Sequence, residues 1–367
     1  MIDVMRTPRT VDLELTSRCN LRCRYCYYMD NEGVTYRDMS TERWLALFEE
    51  FGRAQVMNIC LSGGEALLRP DFFELLDGLV RNRMRFQLLT NGKLVIPEVA
   101  QRLEASGRCD SVQVSLDGSR PEIHEKLRGK GSFAPALEAI KILHEQGLPT
   151  TVRVTIHAFN IEDLPVLAHL LLVEIGLPSF STNAISSLGT QAKYGDDLFL
   201  PPALRLRSMH VLAELDQRYP GRIEAAAGPL AEWKMFNEME TARRAGKIIP
   251  QRGRLTGCGC IFERLAVRAD GAYVPCVTLP QMVLGFAGYD ALEEVWRNAA
   301  QFNLLRQRIH VPLTTFKHCR ECAYNNLCTG NCPGTSLSTS GDPNRPAQEG
   351  CLDLFQQALE AEGLTLW

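Results

Sequence analysis

The chain lacks the segments that mark membrane-spanning or secreted proteins. Its longest apolar run, LAHLLLVEIG at residues 167–176, is interrupted and far too short to cross a bilayer. The N-terminus carries an early Asp3 and has no apolar core segment, which argues against a signal peptide. We therefore expect a cytoplasmic protein with no membrane partner.

The chain also lacks an excess of charge of either sign. Its formal net charge is −3 over 367 residues, and basic side chains are interleaved with acidic ones. Such a balance indicates a solvated surface and gives no reason to expect nucleic-acid binding. A composition of 45% hydrophobic and 23% charged residues, without repeats or low-complexity tracts, is ordinary for a soluble globular protein.

Cysteine, by contrast, is abundant and unevenly distributed. Thirteen cysteines in a reducing compartment indicate metal binding or reactivity rather than disulfides. Cys60 and Cys109 stand alone, and we interpret both as structural. The other eleven form two groups near the ends of the chain: Cys19, Cys23 and Cys26, and then Cys258, Cys260, Cys276, Cys319, Cys322, Cys328, Cys332 and Cys351.

Short β-rich runs alternate with helical patterns between these two groups. The alternation predicts an α/β fold in which parallel strands are joined by right-handed crossovers. Six such units predict a partial (β/α)6 TIM-like barrel, open rather than closed, with functional groups at the carboxyl ends of the strands. The predicted strands are 11–16, 57–62, 85–90, 111–116, 151–156 and 180–186, and the predicted helices are 40–54, 69–83, 96–107, 133–147 and 161–176.

The length of the chain suggests two domains, or one large α/β domain with an appendage. We expect the barrel to occupy 1–186 and a helical bridge, with helices at 201–221 and 231–246, to occupy 187–250. The remaining residues, 251–367, are rich in cysteine and turns. A loop-rich section of that size has little core of its own, so bound metal would have to stabilise it.

The segment CNLRCRYC follows the first predicted strand and spaces its cysteines as C-x3-C-x2-C. Four thiolates complete a zinc site or an iron–sulfur cluster, whereas three leave one metal position open. A zinc knuckle or a chance cluster would also be compatible with this spacing. The segment resembles the CxxxCxΦC signature of the radical SAM superfamily, with Tyr25 as the aromatic Φ.

This resemblance implies a [4Fe–4S] cluster on Cys19, Cys23 and Cys26. S-adenosylmethionine (SAM) would chelate the open iron through its amino and carboxylate groups. An electron from the cluster would then split the sulfonium and give a 5′-deoxyadenosyl radical.

Turns after successive strands carry the same resemblance. Ser62-Gly63-Gly64-Glu65 is similar to the family's GGE motif, in which the carboxylate holds the methionyl amino group and glycines permit close backbone approach. Thr90-Asn91-Gly92 (TNG), after the third strand, could also be a plain turn. After the fourth strand comes Ser115-Leu116-Asp117-Gly118 (SLDG), and the resemblance implies a serine on the ribose and an arginine on the SAM carboxylate. Arg128 could instead form a surface salt bridge, and Asn160 could cap a helix. The SAM-binding residues so implied are Tyr25, Ser62, Gly63, Gly64, Glu65, Thr90, Asn91, Ser115, Asp117, Arg128 and Asn160.

The eight cysteines of the last third are the number that two four-cysteine clusters require, and two zinc sites would use them equally well. Their arrangement resembles the SPASM domain of radical SAM proteins, which carries two auxiliary [4Fe–4S] clusters. The close Cys258-x-Cys260 pair departs from the wider spacing usual in that family. The resemblance implies one cluster on Cys258, Cys260, Cys276 and Cys332 and another on Cys319, Cys322, Cys328 and Cys351, which gives three [4Fe–4S] clusters in all.

The family resemblance implies an oxidoreductase that modifies a ribosomally made peptide, most simply by oxidative crosslinking. Sulfatase-type maturases carry an acidic base where this chain has Val277, which cannot accept a proton. Tetrapyrrole side-chain chemistry and a non-catalytic metal scaffold are two further candidate functions. Besides the peptide, we expect a low-potential electron donor and a separate chaperone for the leader peptide, because no winged-helix segment precedes the first strand. Nothing in the sequence ranks a catalytic base.

Overall fold

The structure is a computed structural model that describes residues 4–27, 36–185 and 198–367. These residues form one ten-stranded sheet in the order β10-β9-β8-β1-β2-β3-β4-β5-β6-β7. The strands are β1 (Thr10–Glu14), β2 (Asn58–Ser62), β3 (Arg85–Thr90), β4 (Cys109–Ser115), β5 (Thr150–Ile156), β6 (Phe180–Ala184), β7 (Ile223–Ala225), β8 (Arg264–Val267), β9 (Ala272–Val274) and β10 (Gly285–Phe286).

Strands β1 to β6 lie side by side in chain order, and each is parallel to the next. This confirms the predicted α/β fold with its mostly parallel sheet. The predicted strand bounds differ from the observed ones by at most two residues where both can be compared. The predicted end of the last strand, 180–186, and the domain boundary placed at 186 both fall on residue 186, which lies outside the described residues.

Helices connect the strands, and the predicted ones, apart from 161–176, are present with bounds within three residues of the expected ones. The first begins after Ser40, whose hydroxyl accepts the N–H of Arg43 at 3.4 Å as an N-cap. The α-helices are α1 (Thr41–Arg53), α2 (Phe72–Arg81), α3 (Pro97–Ala105), α4 (Pro121–Arg128), α5 (Phe133–Glu145), α6 (Leu164–His169), α7 (Pro202–Arg218), α8 (Pro229–Arg244), α9 (Cys260–Glu263), α10 (Leu292–Asn298), α11 (Ala300–Arg306), α12 (Lys317–Glu321), α13 (Pro333–Ser340) and α14 (Leu352–Ala361).

Two features of the helices differ from the sequence-based expectation. The segment 161–176 is a composite of a 3-10 turn (Ile161–Asp163), α6 and a π-helical turn (Leu170–Glu174) rather than one helix. Helix α4 was not predicted, because PEIHEKLR has few apolar residues to reveal a periodic face. Further 3-10 turns span Ala66–Leu68, Gln307–His310 and Leu313–Thr315.

The tail is less loop-rich than predicted, because part of it extends the sheet. Strand β8 pairs in parallel with β1, and β9 and β10 add to it as antiparallel strands. On the opposite side, β7 pairs in parallel with β6. The central sheet therefore joins both cysteine-rich ends of the chain.

The described residues contain a large core on the sheet and a smaller one beneath the tail. In the large core, Leu13, Leu61 and Leu88 are register partners on β1, β2 and β3 and are at most 1% exposed. The smaller core combines helices α7, α8 and α14 with the loop after α12. Its buried residues are Leu206, Met209, Phe236, Met239, Ala242, Tyr324, Leu327, Leu352, Phe355, Leu359 and Leu366.

Within the described residues, no helix combines the length and the apolar character needed to cross a membrane.

Candidate cofactor site at the strand ends

The three-cysteine loop follows β1 and lies at the carboxyl end of the parallel strands. Its main chain is held from outside, since the N–H of Arg24 donates to the carbonyl of Leu127 at 2.9 Å. Burial raises the pKa of Cys23 to about 12; Arg128 opposes this rise, and Cys26 and Cys19 add to it. The three thiols thus lie within electrostatic range of one another.

The glycine pair after β2 fits directly against this loop. The N–H of Gly64 donates to the carbonyl of Thr16 at 2.7 Å, and the N–H of Glu65 donates to that of Arg18 at 2.8 Å. A Cβ on Gly63 would lie 2.5 Å from the Thr16 carbonyl oxygen, and one on Gly64 would collide with the Arg18 carbonyl. Glycine is therefore required here by the close approach of the cysteine loop itself.

Glu65 is 1% exposed and ties the ends of β2 and β3 together. Its carboxylate accepts the Thr90 hydroxyl at 3.0 Å and the N–H of Asn91 at 2.8 Å. Burial raises its pKa, although these hydrogen bonds oppose the rise. The Asn91 amide in turn donates to the side-chain oxygen of Asn20 at 2.8 Å, next to Cys19. The predicted GGE and TNG turns thus form one hydrogen-bonded unit with the cysteine loop.

Asp117, at the end of β4, also holds the cysteine loop in place through hydrogen bonds. It is fully buried and accepts the phenol O–H of Tyr25 as well as the Nε–H of Arg128 at 2.6 Å. The N–H of Thr155 donates to its other oxygen at 2.8 Å. Burial opposes its ionisation, yet Arg128 lowers the pKa of Asp117 below its usual range. The aromatic position of the cysteine motif is therefore anchored to the SLDG turn.

The other predicted SAM-binding residues line the same strand ends. Arg128, 7% exposed, stands with its guanidinium carbon 5.4 Å from the centre of the Tyr25 ring. Ser62 is buried and donates to the Leu13 carbonyl at 3.2 Å, and Ser115 is half-buried at the end of β4. Asn160 is fully buried, and its amide donates to the backbone carbonyls of Asp117 and Thr155, both at 2.9 Å. It supports the SLDG turn rather than starting a regular helix.

Two buried histidines flank Asp117. The N–H of Asp117 donates to Nδ1 of His124 at 3.1 Å. Burial, with a smaller contribution from the Arg128 charge, lowers the pKa of both His124 and His157 to about 4. Both rings are therefore neutral at pH 7, and they surround the Asp117–Arg128 pair without adding charge.

Four of the tail cysteines, Cys258, Cys260, Cys276 and Cys332, form what we name the first tail group. The thiol of Cys258 donates to the sulfur of Cys260, which raises the pKa of Cys258 and lowers that of Cys260 to about 6. Cys332 also raises the pKa of Cys258, and Cys260 raises that of Cys276. This group lies beside β8 and β9, on the large core.

The second tail group comprises Cys319, Cys322, Cys328 and Cys351. Burial, together with the neighbouring Cys328 and Cys351, raises the pKa of Cys319 and of Cys322 to about 11. Cys322 and Cys328 pack against the smaller core. Electrostatic contacts thus link thiols within each of the two groups, and the two ligand sets that the family resemblance implied stay a prediction.

The donor sets fit iron–sulfur clusters chemically. Three neighbouring thiols leave one iron without a cysteine, and four complete a closed cluster. The thiols of each set are near one another but do not surround a common centre. Among the described residues, no group of three or more His, Cys, Asp or Glu side chains is arranged to hold a single metal ion.

A cavity of about 210 Å³ opens at the carboxyl ends of β5 and β6, and we name it the mouth pocket. Two of its wall residues, Ile185 and Leu198, form a buried cluster with Leu127, against which Tyr25 packs. The pocket therefore adjoins the cysteine loop. It is lined by Ile156, Ala184, Ile185, Leu198, Phe199, Leu200, Arg205, Pro229, Glu232 and Glu349.

Sequence reasoning missed Glu349 as a site residue. It lies in an irregular turn before Cys351, and nothing local marks it as facing the barrel. Burial, with a contribution from Glu232, raises its pKa to about 7. Only the packing of the tail against α7 and α8 brings it to the strand ends.

Two families match the chain. Residues 13–171 match the family described as the Radical SAM superfamily, and residues 258–332 match SPASM, described as an iron–sulfur cluster-binding domain. The matched ranges contain the three-cysteine loop and seven of the eight tail cysteines, respectively.

Individual relatives match nearly the whole chain. The mycofactocin maturase MftC of Mycobacterium tuberculosis is 36% identical over 361 residues, which cover 97% of this chain and 86% of the relative. The AdoMet-dependent heme synthase of Methanosarcina barkeri is 28% identical over 349 residues, 93% of this chain and 96% of the relative.

The fold is also found in a solved structure, Streptococcus suis SuiB bound to its precursor peptide SuiA. SuiB superposes with a TM-score of 0.71 at 16% identity, over 95% of this chain and 77% of SuiB. The geometry of the strand-end site, both family matches and a 36% identical relative together show that this chain is an enzyme of the radical SAM superfamily with a SPASM iron–sulfur domain.

Proposed function

We propose that this enzyme cleaves SAM reductively and oxidatively crosslinks a ribosomally synthesised peptide. The observation that carries the SAM-dependent part is the convergence of Glu65, Asn91 and Asp117 on the three-cysteine loop. Buried hydrogen bonds from three successive strand ends hold that loop in place before any metal binds. Such preorganisation is what a cofactor site needs.

In this proposal Cys19, Cys23 and Cys26 hold a [4Fe–4S] cluster whose fourth iron binds SAM. Glu65 accepts the methionyl ammonium, and the Arg128 guanidinium pairs with the SAM carboxylate. The remaining SAM contacts come from the strand-end residues named above. Asp117 keeps Arg128 charged and oriented, and its hydrogen bond fixes Tyr25 beside the cluster.

The first and second tail groups would each hold an auxiliary [4Fe–4S] cluster, three clusters in all. When bound, the first cluster and SAM would supply a 5′-deoxyadenosyl radical that removes one hydrogen atom from the peptide, and the auxiliary clusters would accept the electron left when the new bond forms and a proton departs. The apolar walls of the mouth pocket exclude water from this region. A low-potential electron donor would provide the first electron.

We further propose a division into a barrel (1–186), a helical bridge (187–250) and a SPASM domain (251–367), with a separate chaperone presenting the leader peptide. The bridge helices α7 and α8 pack with the second tail group in the smaller core, which supports treating the bridge as the support of the tail. The pairing of β8 with β1 fixes the start of the SPASM section to the barrel.

A peptide substrate is supported by the maturase relative at 36% identity. Tetrapyrrole chemistry is the second candidate, because a heme synthase is 28% identical over most of both chains. Formylglycine formation is disfavoured by Val277, which is half-buried and apolar where a base would stand.

The decisive experiment is anaerobic reconstitution followed by incubation with SAM, a reductant and a short peptide encoded beside the gene. We expect about twelve irons per chain, from three four-iron clusters. We also expect release of 5′-deoxyadenosine and loss of two hydrogens from the peptide, read by mass spectrometry. Turnover of an iron porphyrin instead would support tetrapyrrole chemistry, and absence of 5′-deoxyadenosine would support a scaffold.

A further inference from the structure

We propose that the mouth pocket recognises one basic side chain of the peptide substrate and that Glu349 is its counter-ion. The proposal rests on the proposed peptide substrate and adds its chemistry: a lysine or arginine must be held close to the reacting segment. The juxtaposition that supports it is an apolar cavity beside Tyr25 that contains a buried carboxylate oxygen.

The main chain on both sides of the mouth pocket is held in place, on one side by close packing and on the other by a hydrogen bond. Helix α8 begins at Gly228, which has φ +81°, and a Cβ there would lie 2.8 Å from the backbone nitrogen of Ala184. The first turn of α8 is therefore pressed against the end of β6, and it places Glu232 over the cavity. Across the pocket, the amide of Asn331 donates to the Glu349 carbonyl at 3.2 Å and fixes the main chain that carries this residue.

Two of the three charged groups in the pocket satisfy each other. The Nε–H of Arg205 donates to Glu232 at 2.9 Å, and its Nη2 lies 2.8 Å from the other carboxylate oxygen. The Arg205 guanidinium also stacks 4.5 Å from the centre of the Phe355 ring. This pair is half-buried and neutral overall. The Arg205 charge also acts on Glu349, and the pocket still holds two carboxylates against one guanidinium.

Glu349 supplies the feature that points to a ligand. Its Oε2 is buried and has no hydrogen-bond partner among the described residues. A buried acceptor of this kind costs free energy unless a donor reaches it, and a charged donor compensates it best. Arg205 donates its Nε–H to Glu232, and its buried Nη2 has no hydrogen-bond partner either, so no described donor reaches Oε2 and a cationic ligand would supply one.

The other properties of the mouth pocket favour a basic side chain as its ligand. Seven of the ten wall residues are apolar, which suits an aliphatic stem, and the carboxylate suits the cationic head at its end. With the ligand bound, two cations would face two carboxylates. An acidic group would instead face Glu349 and Glu232 together, and a purely apolar side chain would leave Oε2 without a donor.

The test uses the full-length reconstituted enzyme and two matched probes, Nα-acetyl-lysine methylamide and Nα-acetyl-norleucine methylamide, with binding followed by ligand-observed NMR. We expect the lysine probe to bind roughly ten- to a hundredfold more tightly, as a hydrogen bond to a charged group implies. Glu349→Gln should remove this preference, and Glu362→Gln, which changes an exposed tail glutamate, should retain it. Ala184→Leu, which fills the pocket, should abolish binding of both probes.

Equal binding of the two probes, or a lysine preference that survives Glu349→Gln, would overturn the proposal. So would displacement of the lysine probe by SAM, because the pocket would then belong to the nucleotide site. If Glu349→Gln fails to fold, Ala184→Leu still decides whether the probes occupy this pocket. Release of 5′-deoxyadenosine without peptide is measured in parallel on the unmodified enzyme and on Glu362→Gln, and its absence from the unmodified enzyme would refute the proposed function instead.

Discussion

The three-cysteine loop lies in a scaffold of buried hydrogen bonds on the large core, whereas the second tail group lies among short helices over a much smaller core. Glu65 and Asp117, which hold the loop, are at most 1% exposed. In the tail, α12 has five residues, and Cys319 and Cys322 stand at its middle and its end. The two regions use the same ligand chemistry with very different support from the polypeptide.

This difference indicates how each region depends on metal. A loop that is hydrogen-bonded to three strand ends keeps its shape through the sheet, so its cluster adds chemistry more than stability. Short helices over a small core bury too little apolar surface to be stable alone, and metal–thiolate bonds then contribute to folding. One bond links the second tail group to the bridge: the Tyr324 hydroxyl donates to Glu240 at 2.8 Å.

The largest effect should come from removing one ligand of the loop. Cys23→Ala should abolish release of 5′-deoxyadenosine and lower the iron content from about twelve to about eight per chain, because one four-iron cluster is lost. The tail should stay folded, as judged by its resistance to proteolysis. Cys60→Ala is the matched control, since this thiol is buried within β2 and should leave SAM cleavage intact. Full SAM cleavage by Cys23→Ala would contradict the assignment.

Removal of iron should affect hydrogen exchange in the tail much more than in the strand-end region. After anaerobic chelation, amide hydrogen exchange should accelerate by at least about tenfold across 317–361, where metal supplies the missing core. Strands β1 to β4 should change little, because Glu65 and Asp117 remain bonded. The comparison drawn above would fail if the strand-end turns lost protection as much as the tail.

The strands and the cysteine sets were predictable because their signals are local. Alternating β-rich runs mark β1 to β6, and the spacing of the cysteines separates loop from tail. The pairing of β8 with β1 was not predictable, since a four-residue strand about 250 residues away gives no local sign of its partner. The bond from Tyr25 to Asp117 also joins residues 92 positions apart.

Glu349 illustrates the same limit within the candidate site. Its position in the mouth pocket depends on how the turn before Cys351 packs against α7 and α8, and no periodicity in the sequence describes that contact. The sequence motifs were thus sufficient to predict the cofactor site. Glu349, the residue proposed to bind the substrate side chain, could be found only from the packing of the tail.

A pair of glycine substitutions measures how tightly each cysteine segment is packed. Gly64→Ala should destabilise the protein by about 1–3 kcal/mol, because the new Cβ meets the Arg18 carbonyl and must displace the cysteine loop. Gly259→Ala, between two proposed ligands of the first tail group, should change stability by less than about 0.5 kcal/mol, since a Cβ there has no atom within 4 Å among the described residues. Urea unfolding of both variants gives the two values, and equal losses would show that the tail segment is packed as closely as the loop.

The expected effect that is smallest at neutral pH is a pH dependence confined to the strand-end region. His124 and His157 have their pKa lowered to about 4, mainly by burial. Between pH 6.5 and 4 the unfolded chain therefore binds protons that the folded chain does not, and stability falls as the pH falls through this window. The charged groups that act on the two rings are Asp117, Arg128, Glu125 and Lys126.

For each histidine the slope should approach about 1.4 kcal/mol per pH unit at most. Thermal unfolding of the metal-free chain should show a steeper decline with acid than the His124→Gln, His157→Gln double variant, whereas His169→Gln, half exposed on α6, should follow the unmodified chain. Asp117 also loses its stabilising contribution in acid, but only as the pH falls below the usual carboxyl range toward its lowered pKa. A decline that starts above pH 6 and is unchanged in the double variant would therefore place the sensitive groups in the tail, and the strand-end region would have to be regarded as the less pH-dependent of the two.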